Sequence, residues 1–309
     1  MRSRKFKLTN LFIYVTKRCN SRCPNCLWIL KDVNFFNKSV KEDMSFDRAK
    51  DISEFYKKNN VKIVRIQAEG EVFLYTKFKE LTLFCKSIGY DLTGFPTNGL
   101  LLHKYDEFVL EHFPSIMVSI DGYDAEGYIK YRGGNEANFD KILDNIRKIV
   151  KMKKNKFKTV IGINCIITSQ DYEKAFRMIK LSEKLGIDRI RFGNYHPYGK
   201  EDDLKPVSNK ILKFLHKKAK SSKVRVNFPK TKKLLYPFFC SQLFDTVLVG
   251  TEGDFSPCCQ ISCDPKWGNF YERKGRSLLS RFRDQFRSAK SLKELPEYCS
   301  SCPRLRSLK

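Results

Sequence analysis

Eleven cysteines in a chain of 309 residues are the first chemistry the sequence offers. Three of them, Cys19, Cys23 and Cys26, stand in the run RCNSRCPNC, separated by three and then two residues. Thiolates at this spacing can each take one iron of a cubane cluster, leaving the fourth iron open to an outside ligand. A zinc knuckle is the competing reading, but structural zinc takes four ligands, and no histidine or further cysteine lies nearby to complete a set. A second group is Cys240, Cys258, Cys299 and Cys302, with Gly253 five places before Cys258 and a CxxC at its end. Four thiolates suit a fully ligated 4Fe–4S cluster or a structural zinc. Cys259 and Cys263 are alternatives to Cys258. Cys85 and Cys165 read as small core residues, although Cys165 falls on an expected strand where a thiol can face a barrel interior.

Thiols at fixed spacing need elements to hold them. Residues 11–16, 62–67, 91–96, 115–120, 159–168 and 187–192 are rich in Val, Ile and aromatics, which predicts buried parallel strands. Between them run amphipathic stretches at 46–58, 77–87, 105–113, 138–152 and 172–185, with Ser45 as an N-cap and Gly186 as a C-cap. Six strand–helix repeats predict an α/β fold, a parallel sheet with right-handed crossovers closing into a partial (β/α)6 TIM-like barrel. Active residues then belong at the carboxyl ends of the strands, and the cysteine triad directly follows the first. Beyond residue 199 the texture changes to a linker, a helix at 211–219, short β-like pieces (VRVNF, TVLVG) and turn signals (EGDFSP, DPKWGN). Two domains are expected: a core at 1–200, and at 201–309 a small cysteine-rich iron–sulfur module stabilised by metal.

At this point the residues carry a resemblance. RCNSRCPNC resembles the CxxxCxxC signature of radical S-adenosylmethionine (SAM) enzymes, and further motifs follow in the family's order. Ala68-Glu69-Gly70-Glu71 resembles the GGE motif, Thr97-Asn98-Gly99 the TNG turn, and Ser119-Ile120-Asp121-Gly122 the SIDG segment. The resemblance implies a 4Fe–4S cluster on Cys19, Cys23 and Cys26, with SAM contacted by Gly70, Glu71, Thr97, Asn98, Ser119, Asp121, Asn164 and Arg191. It also implies reductive cleavage of SAM to a 5′-deoxyadenosyl radical that abstracts hydrogen from a substrate. Three departures are visible: Asn25 stands where an aromatic residue often contacts adenine, with Trp28 nearby; Glu69 replaces the first glycine; Val72 stands where proline is common. Cys240, Cys258, Cys299 and Cys302 resemble the twitch form of the SPASM-type auxiliary domain, implying a second 4Fe–4S cluster. Such relatives oxidise or modify small biosynthetic metabolites, which is the reading adopted; SPASM-type maturases of peptides and proteins are the alternative. An electron donor such as flavodoxin or ferredoxin is the implied partner.

Composition narrows the classes without choosing among them. Hydrophobic residues at 41% and aromatics at 13% are globular proportions. No apolar run approaches the roughly 18 residues a membrane helix needs, and the basic start with its short apolar run lacks a small-residue cleavage site. A cytoplasmic, reducing location is expected, where grouped cysteines are metal ligands and not disulfide halves. The net charge of +26 favours anionic partners, nucleic acid included. The lysines are scattered, however, and aromatics do not interleave with them in one patch, so they read as solvated faces. A metal-binding nucleic-acid protein is thus the disfavoured reading of another class. Tyr195 and His196 follow the sixth strand, but a lone loop histidine says little; His103, His112 and His216 read as structural or solvated. Replacing Cys19, Cys23 and Cys26 together by alanine abolishes 5′-deoxyadenosine release from the reduced protein, as measured by chromatography. Undiminished release overturns the ligand assignment.

Overall fold

The strands form where Val, Ile, Leu and Phe runs demand burial on both faces. The computed structural model describes residues 7–26, 43–154, 156–195, 205–229, 236–259, 261–272, 276–296, 299, 302 and 306–307. Its strands are β1 (Asn10–Tyr14), β2 (Ile63–Gln67), β3 (Asp91–Leu92), β4 (Phe95–Thr97), β5 (Ser115–Ser119) and β6 (Val160–Ile167). They continue with β7 (Arg189–Asn194), β8 (Arg225–Asn227), β9 (Phe238–Phe239), β10 (Thr246–Val249), β11 (Phe255–Ser256) and β12 (Arg306–Ser307). One five-stranded sheet has the order β11-β10-β1-β2-β3 and another the order β4-β5-β6-β7-β8; β9 and β12 pair separately. Every pairing within β10-β1-β2-β3 and within β4-β5-β6-β7-β8 is parallel, as the α/β reading expects.

Two compact units interleave along the chain, one formed by residues 1–18, 39–93 and 232–309, the other by 19–38 and 94–231. In the first, Leu11, Ile13, Val64, Ile66, Leu248 and Val249 are fully buried. In the second the same holds for Ile116, Val118, Ile161, Ile163 and Ile190. The expected single strand at 91–96 is two strands in two sheets. Its break is Gly94, where a Cβ would lie 2.0 Å from Ser115 Oγ and 2.4 Å from Ser115 O, so only glycine permits the backbone approach.

The β-like pieces beyond residue 200 are not a sheet of their own. VRVNF supplies β8, parallel to β7, and TVLVG supplies β10, whose Thr246–Val249 pair with Asn10–Ile13 of β1. Both runs bury apolar side chains best against strands already formed.

The helices follow their signals. α1 (Phe46–Lys58) starts at Ser45, whose Oγ accepts from Arg48 N at 3.3 Å. After it come α2 (Phe78–Ser87), α3 (Asp106–His112), α4 (Ala125–Arg132), α5 (Glu136–Lys153), α6 (Lys174–Leu185) and α7 (Asn209–Lys218). The last two described are α8 (Ser241–Asp245) and α9 (Arg276–Ser288). α6 ends at Gly186 with φ 68°, the left-handed C-cap that glycine accommodates. α4 was not expected from the sequence. Among the described residues no helix is long and apolar enough to cross a membrane.

Leu248→Ala empties a fully buried site between β1 and β11. It lowers unfolding free energy by about 2–5 kcal/mol in denaturant titrations; a loss below about 0.5 kcal/mol means that β10 is not part of the core.

Candidate functional site

Within the second unit, Cys19, Cys23 and Cys26 are all half-buried on a loop with no regular structure. Such a loop needs hydrogen bonds from its surroundings. Cys26 N donates to Cys23 O at 3.1 Å, and Arg22 Nη1 to Cys19 O at 3.0 Å and Ser21 O at 3.2 Å. Asn98 Nδ2 donates to Asn20 Oδ1 at 2.7 Å and Ser21 Oγ at 3.1 Å, tying the cysteine loop to the turn after β4. That turn is itself rigid: Thr97 Oγ1 accepts from Gly99 N, Asn98 Oδ1 from Leu100 N, and buried Asn145 donates to Gly99 O at 2.8 Å. Gly99 has φ 85° and lies where a Cβ would meet Val118 Cγ1 at 2.7 Å.

Asp121 is buried, with both carboxylate oxygens engaged. Oδ1 accepts from Ile166 N, and Oδ2 pairs with Arg132 Nε at 2.6 Å. Arg132, the last residue of α4, acts on the Cys23 thiol as a neighbouring positive charge. Burial pushes that thiol up, while the guanidinium beside it pulls the other way. The helix end is pressed against the cysteine loop as well: at Gly133 (φ 66°) a Cβ would come 2.6 Å from Arg22 O. Arg132 was missed in the sequence because α4 was missed, although Asp124 as N-cap and Gly133 just past Arg132 mark both of its ends.

The sheet register brings three of the expected contacts together. Ser119 pairs with Asn164, and Asn164 with Arg191, so the three stand in one row across β5, β6 and β7 on one face. Thr97 is in register with Val118, one residue out of phase, and belongs to the opposite face.

In the first unit, the segment after β2 lies against the end of β1. Glu69 N donates to Thr16 O at 3.1 Å and Glu71 N to Arg18 O at 2.8 Å. A Cβ at Gly70 would fall 2.0 Å from Arg18 O, so this position tolerates glycine alone. Glu71 is 2% exposed, and its carboxylate accepts from Phe73 N at 3.4 Å. The neighbouring carboxyl of Glu69 is pushed up by burial and drawn down by Lys17.

The second cysteine group is also in this unit. Cys240 stands immediately before α8, and Cys302 N donates to Cys299 O at 3.1 Å. Burial, with Cys240 and Cys302 adding to it, pushes the Cys299 thiol up to about 12. Cys259 Sγ donates to Gln242 Oε1 at 3.3 Å, two residues after Cys240. Burial pushes the Tyr14 hydroxyl at the end of β1 well above its ordinary range, with Cys259, Cys263 and Cys258 adding to it. Among the described residues no three His, Cys, Asp or Glu side chains converge around a single ion; cubane thiolates, each on its own iron, need not do so. Trp28 and His196 lie outside the described residues.

A parallel α/β scaffold with a three-thiol loop at the first strand end defines a class of iron–sulfur enzyme. A family model described as the radical SAM superfamily matches residues 13–179, and the chain belongs to that superfamily. The family uses a 4Fe–4S cluster and SAM, and three braced, half-buried thiols beside a guanidinium fit such a group. A relative from Saccharolobus solfataricus, called probable GTP 3′,8-cyclase, is 25% identical over 219 residues, covering 68% of this chain and 67% of that protein. Streptococcus suis SuiB bound to S-adenosylmethionine aligns with TM-score 0.62 at 18% identity, over 86% of this chain and 62% of SuiB. The same protein bound to its precursor peptide SuiA gives 0.65 at 16%, over 96% and 70%. Native anSMEcpe with bound AdoMet gives 0.66 at 17%, over 96% and 88%. At these identities the likeness to the solved structures is one of fold.

Asp121→Ala strands Arg132 and the Ile166 amide. It lowers unfolding free energy by about 3 kcal/mol, read from denaturant titrations, while Asp121→Asn loses less because one acceptor oxygen remains. An unchanged midpoint in Asp121→Ala refutes this structural role.

Proposed function

We propose that this radical SAM enzyme oxidises or otherwise modifies a small biosynthetic metabolite, assisted by a second 4Fe–4S cluster. The braced loop of Cys19, Cys23 and Cys26 is the observation that carries the reading. When bound, the cluster and SAM supply one-electron cleavage of a carbon–sulfur bond, giving methionine and a 5′-deoxyadenosyl radical. The chain's own residues hold and orient. Cys19, Cys23 and Cys26 take three irons and leave one open. Glu71 offers a charge-assisted partner for SAM's ammonium group, with Gly70 keeping the backbone close. Ser119, Asn164 and Arg191 present polar groups in one row to SAM, and Asn98 contacts it from the adjoining turn. Thr97 and Asp121 act from behind these groups, Thr97 by holding the turn after β4 and Asp121 by holding Arg132.

Residues 201–309 carry the second ligand set: Cys240, Cys258, Cys299 and Cys302 would hold a cluster that would supply an electron acceptor for a two-electron oxidation. The backbone bond that holds Cys299 and Cys302 in one turn supports this assignment. A flavodoxin or ferredoxin serves as electron donor. A relative named for acting on GTP favours a small anionic substrate. A peptide substrate is the second reading, favoured by the fold shared with SuiB, which was solved with its precursor peptide.

Anaerobic reconstitution is expected to yield about eight irons per chain, and 5′-deoxyadenosine formation rises with small anionic metabolites but not with peptides. Zinc without iron, and no SAM cleavage, sinks the proposal; stimulation by peptides alone selects the second reading.

A further inference from the structure

Glu69 stands where related motifs have glycine, and nothing in the SAM-binding reading uses its side chain. It is 6% exposed, and its Oε1 accepts a hydrogen bond from the backbone N–H of Cys263 at 3.2 Å. A carboxylate taken out of water is costly unless it is paired or hydrogen-bonded, and a backbone amide held by a carboxylate is a charge-assisted bond. Burial pushes both the Glu69 carboxyl and the Cys263 thiol up, and the charge of Lys17 draws both down.

The residue that Glu69 holds is the end of the turn carrying Cys258 and Cys259. Cys263 packs on Gly250, just past β10, where a Cβ would come 2.5 Å from Cys263 Cβ and 3.1 Å from its Sγ. From inside the turn Ser256 Oγ donates to Ile261 O at 2.6 Å and accepts from Cys258 N at 3.3 Å. Asp264 N returns to Phe255 O at 3.2 Å, closing the turn on the β10–β11 hairpin. These ties are local to the hairpin, whereas Glu69 comes from the segment after β2, 194 residues away in sequence.

We propose that Glu69 is a positioning residue for the second cysteine set: by gripping the Cys263 amide it fixes the turn that presents Cys258 and Cys259, and it makes Cys263 a packing member of that turn, not a ligand. The grip itself stands on the geometry; its consequence for a second cluster rests on the ligand reading above.

Hydrogen-exchange mass spectrometry on the anaerobic, cluster-loaded full chain tests the grip. In Glu69→Gly, exchange in peptides spanning residues 256–264 accelerates about tenfold, while peptides from β5 and β6 keep their rates. Glu69→Gln retains an acceptor oxygen and stays within about threefold of the parent. Unchanged exchange in Glu69→Gly, or acceleration spread evenly over the chain, overturns the proposal. The cluster consequence is read separately, in a Cys19→Ala, Cys23→Ala, Cys26→Ala background that leaves only the second set. There Glu69→Gly loses iron to a chelator about tenfold faster than its parent, and equal rates overturn that consequence. If the background protein binds no iron, the ligand reading fails while the exchange experiment still judges the grip.

Discussion

A stretch of chain that presents three thiols in irregular backbone depends on hydrogen bonds supplied from outside it. In this protein those bonds come from a residue brought close only by folding, Asn98 to Asn20 and Ser21, while the charge of Arg132 acts on the Cys23 thiol. Arg132 is in turn held by Asp121, whose other oxygen takes the Ile166 amide at the end of β6. The cysteine loop is therefore anchored through a side chain to the turn that follows β4.

The same economy recurs at the end of β2. Gly70 allows two backbones to touch, and the amides of Glu69 and Glu71 are satisfied by Thr16 and Arg18 immediately before Cys19. A side chain larger than hydrogen at position 70 would separate these segments. Glycine is thus a matter of contact distance at this site and not of unusual dihedral angles.

The carboxyl-terminal third is bound into the fold by strand pairing. β10 lies beside β1, so the turn bearing Cys258, Cys259 and Cys263 leaves the same sheet that delivers Tyr14 and Glu69. A short, cysteine-rich segment with little core of its own gains order by adding to an existing parallel sheet.

Much was legible in the order of residues, since local rules set it. The cysteine spacing, the period of the apolar runs, Ser45 as a cap and Gly186 as a terminator depend on neighbours in sequence, and the strands and most helices formed where these signals lie. Only tertiary structure decided the rest. It split residues 91–96 between two sheets at Gly94, sent VRVNF and TVLVG to different sheets, and gave Asp121 an arginine from an unexpected helix. Each of these outcomes turns on which distant backbone or charge fills the space beside a residue, and linear order does not encode that distance.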